Sequence, residues 1–262
     1  MTTLAHTLTD SRTMFRRQLL HLRRYPSLTG LLIGMPVVFL LLFAYVFGGT
    51  LGAGIGGDRS AYVNYLTPGI LLFTLAGAAA GTAISVATDM TEGIVDRFRS
   101  MAIARSSLLT GHVLGSLAQN LLALLAVLGV ALLIGFRPTA TAVEWLAVLG
   151  VLLAVAFALT WLAVALGMVA DSVEAASNTP MFLTLLPFLG SGFVPTDTMP
   201  AGLRTFAEHQ PFTPIIETLR GLLLGSAIGP AAGTALAWCA GISLLSFLWA
   251  MRTYERRTTG AG

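Results

Sequence analysis

The residues of this chain that could do chemistry are few, and their spacing excludes more reactions than it supports. His6, His21, His112 and His209 are scattered, and no H-E-x-x-H pair exists to hold a catalytic zinc. Cys239 is the single cysteine, so neither an internal disulfide nor a thiolate metal cluster can be built from it. Ser191, in Leu189-Gly190-Ser191-Gly192, could act as a nucleophile only with a base, and the last apolar block holds no histidine. All 15 basic residues are arginine, which rules out the lysine of a nucleotide-binding G-x-x-x-x-G-K-[ST] loop. No catalytic residue, metal site or cofactor bound by this chain is therefore expected. Ion-coupled carriers bury an acid or base at mid-membrane. Here Glu144 stands at a span entrance beside Trp145, and Asp171 and Glu174 fall in a short connection. The candidates at depth are Glu217 and Arg220, which can pair at a spacing of three. Energy for any transport should then come from outside the chain.

The elements that carry these residues are set by composition. The 262 residues are 55% hydrophobic and 10% charged, with mean hydropathy +0.81, against about 25% charged in a soluble domain. This is the composition of an all-α integral membrane protein. A span needs about 20 apolar residues, and six blocks qualify: roughly 28–48, 62–88, 107–134, 143–169, 179–194 and 229–251. The fifth is short and carries Pro180 and Pro187. Between it and the sixth, Pro195, Pro200, Pro211 and Pro214 interrupt an apolar stretch. It reads as two short helices re-entering the outer leaflet against protein. Residues 1–27 place Leu4, Leu8, Phe15, Leu19 and Leu22 on one helical stripe with Arg12, Arg16 and Arg23 turned away, which suits an amphipathic interfacial helix. The chain thus reads as a single transmembrane domain over 1–262: interfacial helix 1–27, six-span core 28–251, tail 252–262.

One charged run stands between the second and third spans, from Asp89 to Arg105. As a helix it places Met90, Ile94, Phe98 and Met101 on one face and Asp89, Glu92, Asp96 and Arg99 on another, with Gly93 free to let the chain turn. Orientation follows from arginine counting. With the N-terminus inside, Arg12, Arg16, Arg17, Arg23, Arg24, Arg97, Arg99, Arg105, Arg252, Arg256 and Arg257 face the cytoplasm. Arg59, Arg137, Arg204 and Arg220 face out. Both ends and the 89–105 run are then cytoplasmic, where a separate ATPase could reach the run. The sequence pI of about 9.5 reflects this topology and not a nucleic-acid groove.

Small residues recur four apart at Gly77, Gly81 and Ser85, and at Gly111 and Gly115, a spacing that lets helices approach within one subunit or across a dimer seam. The glycine-rich stretch Gly48–Gly57 reads as an external connector.

Two sets of residues resemble the type-2 ABC exporter permeases, and most of all their daunorubicin/doxorubicin-resistance (multidrug efflux) branch. The first is Glu92-Gly93-Ile94-Val95-Asp96-Arg97-Phe98-Arg99, preceded by Thr67-Pro68-Gly69-Ile70. The second is Ser191-Gly192-Phe193-Val194-Pro195, Met199-Pro200, Gln210-Pro211-Phe212-Thr213-Pro214 and Leu219-Arg220-Gly221. Ala102 departs from the pattern, since many relatives have proline there. The resemblance implies a permease subunit of the bacterial plasma membrane, multi-pass, with both termini cytoplasmic. Two such subunits, as a homodimer or a related heterodimer, would pair with two copies of a cytoplasmic ABC ATPase that binds ATP and Mg. It implies that Asp89, Glu92, Gly93, Asp96, Arg97 and Arg99 form a coupling helix docking on that ATPase. It also implies that the outer segment, with Pro195, Pro200, Pro211, Pro214, Glu217 and Arg220, caps the path. An apolar path suits a lipophilic drug, antibiotic or lipid. Export of a polysaccharide or lipid-linked glycan, or a stand-alone carrier, are the alternatives.

Overall fold

A computed structural model describes residues 26–91 and 105–259, and every regular element among them is helical. Helix α1 (Pro26–Leu41) runs through a wider π turn at Leu42–Phe47 into α2 (Gly48–Gly54). Two long helices follow, α3 (Arg59–Thr91) and α4 (Arg105–Leu133), and then α5 (Ala142–Val169). Short pieces come next: α6 (Val173–Asn178), α7 (Met181–Leu185), a 3-10 turn at Thr196–Thr198, α8 (Ala201–His209) and α9 (Phe212–Leu224). The last described helix is α10 (Ala231–Thr259). Among the described residues five stretches are long and apolar enough to cross a bilayer: Leu32–Gly54, Arg59–Thr91, Val113–Leu133, Ala142–Val169 and Ala231–Thr253.

The glycine-rich stretch after the first span differs from its reading as a connector. The helix continues to Gly54, and only residues 55–58 turn. The cause is close packing, because a Cβ on Gly52 would collide with the carbonyl of Asp58. Gly56, at φ +77°, then supplies the left-handed residue that reverses the chain.

Helix α3 is the centre of the molecule and packs against α1, α2, α4, α5, α6, α7 and α9. Tyr62, Leu66, Ile70, Leu71, Leu72 and Leu75 on it are fully buried. Buried hydroxyls in this apolar setting close onto their own helix: Thr67 donates to the Val63 carbonyl, Thr74 to Ile70 and Thr160 to Ala156. Thr82 lies 3.4 Å from the Ala78 carbonyl of its own helix and also reaches across to the Ser116 hydroxyl of α4 at 2.9 Å.

The fifth apolar block is not one helix. Ser172 caps α6 by accepting from the Ala175 amide, Pro180 starts α7, and the chain then turns through residues 186–193. Proline lacks an amide donor, so the ladder of intrahelical bonds is interrupted at Pro180 and Pro187 although Thr179 and Leu186 before them keep helical backbone angles. Two contacts fix where this broken segment lies. At its start, a Cβ on Gly167 would sit 2.5 Å from the Ala83 carbonyl, and at its end a Cβ on Gly69 would sit 2.5 Å from the Gly192 carbonyl. From Ala83 to Gly69 is about 21 Å along α3 at ~1.5 Å per residue, so the segment climbs somewhat under half the length of that helix.

Candidate functional site

The four prolines from Pro195 to Pro214 each do local work. Pro195 precedes the 3-10 turn, Pro200 and Pro211 are the N-cap residues of α8 and α9, and Pro214 lies in the first turn of α9. These are places where a missing amide donor costs nothing, because first-turn amides have no intrahelical acceptor. The two short helices expected from proline spacing are present as α8 and α9.

Between α9, the 186–195 turns and the Tyr62–Gly69 end of α3, polar groups converge in an otherwise apolar interior. The Ser191 carbonyl is the hub: it accepts from the Tyr65 hydroxyl at 2.9 Å and from Arg220 Nη2 at 2.6 Å. Arg220 also donates to the Tyr65 carbonyl at 3.3 Å, and its guanidinium carbon lies 3.7 Å from the centre of the Tyr65 ring. The Tyr62 hydroxyl donates to the Phe193 carbonyl at 3.1 Å. Thr213 accepts from the Ser191 amide, and the Gln210 amide group donates to Thr213 and to the Leu186 carbonyl. Beside its own backbone bonds, the turn thus has carbonyls and amides satisfied by side chains of two helices, as buried backbone groups require.

This arrangement departs from the expected Glu217–Arg220 pair. Glu217 faces away, exposed, and makes no ion pair with Arg220, which turns inward to the Ser191 carbonyl and the Tyr65 ring. On α9 the 217 and 220 positions lie on different sides of the buried face, and the inward carbonyl cluster offers a desolvated cation more than a solvent-facing carboxylate does. The only ordinary surface ion pair described nearby is Arg204–Glu208 at 2.7 Å on α8. Two buried polar atoms at the hub, Ser191 Oγ and Arg220 Nε, have no hydrogen-bond partner. Among the described residues no general base stands beside Ser191; the His209 ring is engaged with the Thr205 carbonyl on α8. The hub clamps helices together.

Beside the hub lies an aromatic wall. Phe188 and Phe193 stack at 4.1 Å, Phe43 meets Phe193 at 4.7 Å, and Phe39 meets Phe73 at 5.0 Å. Phe73 also meets Phe188 edge-on at 5.5 Å. Five phenylalanines from α1, α3 and the turns therefore form one continuous surface with no polar tip on any ring, and the π turn at Leu42–Phe47 adjoins it.

Of the expected coupling residues, Asp89 lies in the last turn of α3 and is buried. Glu92, Gly93, Asp96, Arg97 and Arg99 lie outside the described residues, as does the stretch read as an interfacial helix. Among the described residues no group of three His, Cys, Asp or Glu could hold a metal.

The hub joins Thr67-Pro68-Gly69 to Ser191-Gly192-Phe193 and to Gln210–Arg220, three separated stretches of the chain. A profile of the ABC-2 type transporter family matches residues 9–224, which contain all of them. The chain belongs to the ABC-2 type transporter family. Among individual relatives of this ABC-2 chain, the daunorubicin resistance ABC transporter permease protein DrrB1 of Streptomyces coeruleorubidus is 27% identical over 242 residues, 92% of this chain and 84% of the relative. The probable doxorubicin resistance ABC transporter permease protein DrrC of Mycobacterium tuberculosis is 24% identical over 238 residues, 90% of this chain and 84% of the relative. The ABC-2 assignment accounts for the lack of a P-loop, since the permeases of such transporters leave ATP hydrolysis to another subunit. Tyr62 and Tyr65, which hold the hub with Thr213 of the Gln210–Pro214 motif, went unremarked in the sequence. Their signal was the spacing of three between two tyrosines at the mouth of an apolar block.

Proposed function

We propose that this chain is the permease subunit of an ATP-driven exporter that moves a lipophilic drug, antibiotic or lipid outward across the plasma membrane. The observation that carries it is the family match over residues 9–224 in a chain of apolar spans without a nucleotide site of its own. The relatives' names, with their daunorubicin and doxorubicin resistance, favour the drug class over a glycan.

In this reading the broken segment between α5 and the 186–195 turns is the fifth crossing, giving six in all. Its climb of about 21 Å along α3 supports that, being a large part of a hydrocarbon core of about 30 Å. Arginine counting places both termini inside, which needs an even number of crossings. Helices α8 and α9 then form the outer, re-entrant cap, and the 89–105 run is the coupling helix, with Asp89, Glu92, Gly93, Asp96, Arg97 and Arg99 contacting or anchoring the ATPase. Two permease subunits, identical or related, sit on two ATPase subunits carrying ATP and Mg. Closure of the ATPase pair shifts the permeases between inward- and outward-biased states.

The test is co-expression with a candidate ABC ATPase, purification through a tag on this chain, and turnover in lipid with lipophilic drugs and glycolipids. The expected result is co-purification and substrate-stimulated ATPase activity that Glu92→Ala lowers while leaving membrane insertion intact. A stable chain that retains no ATPase would return the protein to the stand-alone carrier.

A further inference from the structure

A cavity of about 490 Å³ opens between α4 and α5, floored by Leu71 of α3 and walled by leucines. One polar side chain lies deep in it, Asn120, which is 4% exposed. Its carboxamide makes no hydrogen bond with any described residue, although it offers two donors and an acceptor. Asn120 sits about 20 Å along α4 from its Leu133 end, at ~1.5 Å per residue, so no aqueous rim is within reach of its short side chain. A carboxamide left unpaired in hydrocarbon costs several kcal/mol by order of magnitude. Thr82 and Ser116, one turn away, show how polar groups here are otherwise matched.

The shape of the cavity limits what fills it. It runs from Ala142 and Leu128 at one end to Ala156 and Leu117 at the other, about 16 Å along α4 and about 21 Å along α5 at ~1.5 Å per residue. Its volume falls in the range of pockets that take drug-sized ligands. A lipid tail brings nothing for the amide to bond. An apolar molecule of drug size, inserted lengthwise with an oxygen at its leading end, meets both the leucine wall and Asn120. Leu125 and Leu149 are exposed on the rim, so entry is sideways from the bilayer.

We propose that the α4–α5 cavity is a binding site for drug-sized lipophilic molecules bearing a carbonyl or hydroxyl group, with Asn120 donating the hydrogen bond that orients them. This rests on the exporter reading for its purpose, but binding needs only this chain.

Benzophenone tests it, being two apolar rings around one ketone that inserts into neighbouring C–H bonds under ultraviolet light. The chain in lipid nanodiscs is photolabelled and adducts are mapped by peptide mass spectrometry, with Leu244 and Leu245 on the exposed face of α10 as background. The expected result is saturable labelling around Leu124 and Leu149 above that background. Asn120→Leu should reduce it about five- to tenfold while the thermal midpoint stays equal or rises, since the variant removes an unpaired amide. Diphenylmethane, which has the rings without the ketone, should compete about tenfold more weakly than benzophenone. Leu149→Trp, at a rim position, should block labelling without changing the gel-filtration profile. Labelling that is no higher than on α10, or unchanged in Asn120→Leu, overturns the proposal. So does equal labelling of both proteins at Leu124 by a phospholipid with a photoreactive tail, which would make the cavity a lipid groove. None of these outcomes depends on an ATPase, so the exporter reading stands or falls separately on the co-purification experiment.

Discussion

Gly69 of α3 and Gly192 of the following turns touch backbone to backbone: a Cβ on Gly69 would lie 2.5 Å from the Gly192 carbonyl oxygen and 2.8 Å from its Cα. The contact brings two distant stretches of sequence together and sets Ser191 within reach of Tyr65 and Arg220. Gly69→Ala must push rigid backbone apart, because no flexible side chain is available to yield. We expect a loss of about 1–3 kcal/mol, as for overpacking a filled core, read as a lowered thermal midpoint and a smaller monodisperse fraction in detergent. An unchanged midpoint would mean that the turns can retreat from α3 without cost.

Gly77 and Gly81 behave in the opposite way. A Cβ at either position meets nothing within 4 Å, so the small-residue face that could have packed within the subunit is open. Gly77→Ala and Gly81→Ala should therefore leave the stability of the isolated chain within about 0.5 kcal/mol of wild type, or improve it through helix propensity. If the face is the seam between permeases, Gly81→Leu should weaken cross-linking of differently tagged copies at unchanged stability. Unaltered cross-linking would place the seam elsewhere.

Arg220 contributes by shape as well as charge. Its planar group stacks on Tyr65 while bonding the Ser191 carbonyl, a combination that a lysine ammonium cannot reproduce. Arg220→Lys should cost about 1–3 kcal/mol, and Tyr65→Phe, which keeps the ring but loses the hydroxyl, about 1 kcal/mol. The double variant should lose more than the sum, since it leaves the buried Ser191 carbonyl without either of its donors. Strict additivity in thermal midpoints would show that the two contacts are independent.

At the entrance of α5, Thr141 and Glu144 form a reciprocal capping box: the Thr141 amide donates to Glu144 Oε2 at 2.6 Å, and the Glu144 amide to Thr141 Oγ1 at 3.4 Å. Thr141→Ala should cost about 1 kcal/mol, and Thr141→Ser should restore most of it. Hydrogen exchange at the first turn of α5 reads this directly. Protection unchanged in the alanine variant would show that Trp145 and the surrounding packing hold the helix start alone.

Much of this protein was legible in its sequence because the signals are local or compositional. Long apolar runs must become helices in a bilayer, since only intrahelical bonds satisfy their backbone, and proline breaks a helix wherever it stands. Hence four continuous spans and the last one fell where hydropathy put them, and Pro200 and Pro211 begin α8 and α9 as their positions required. The motif residues from Thr67 to Arg220 were enough to suggest the family. What only the tertiary structure decided depends on neighbours distant in sequence. Periodicity favoured Gly77 and Gly81 as close-packing positions, whereas the backbones meet at Gly69, Gly167 and Gly192. A spacing of three allowed Glu217 to pair with Arg220, but α9 turns the arginine inward to a carbonyl hub. Nothing along the sequence marks out Asn120; its significance lies in the cavity that α4 and α5 leave around it. A pattern along one helix says which residues share a face, while what that face meets is set by how the helices pack.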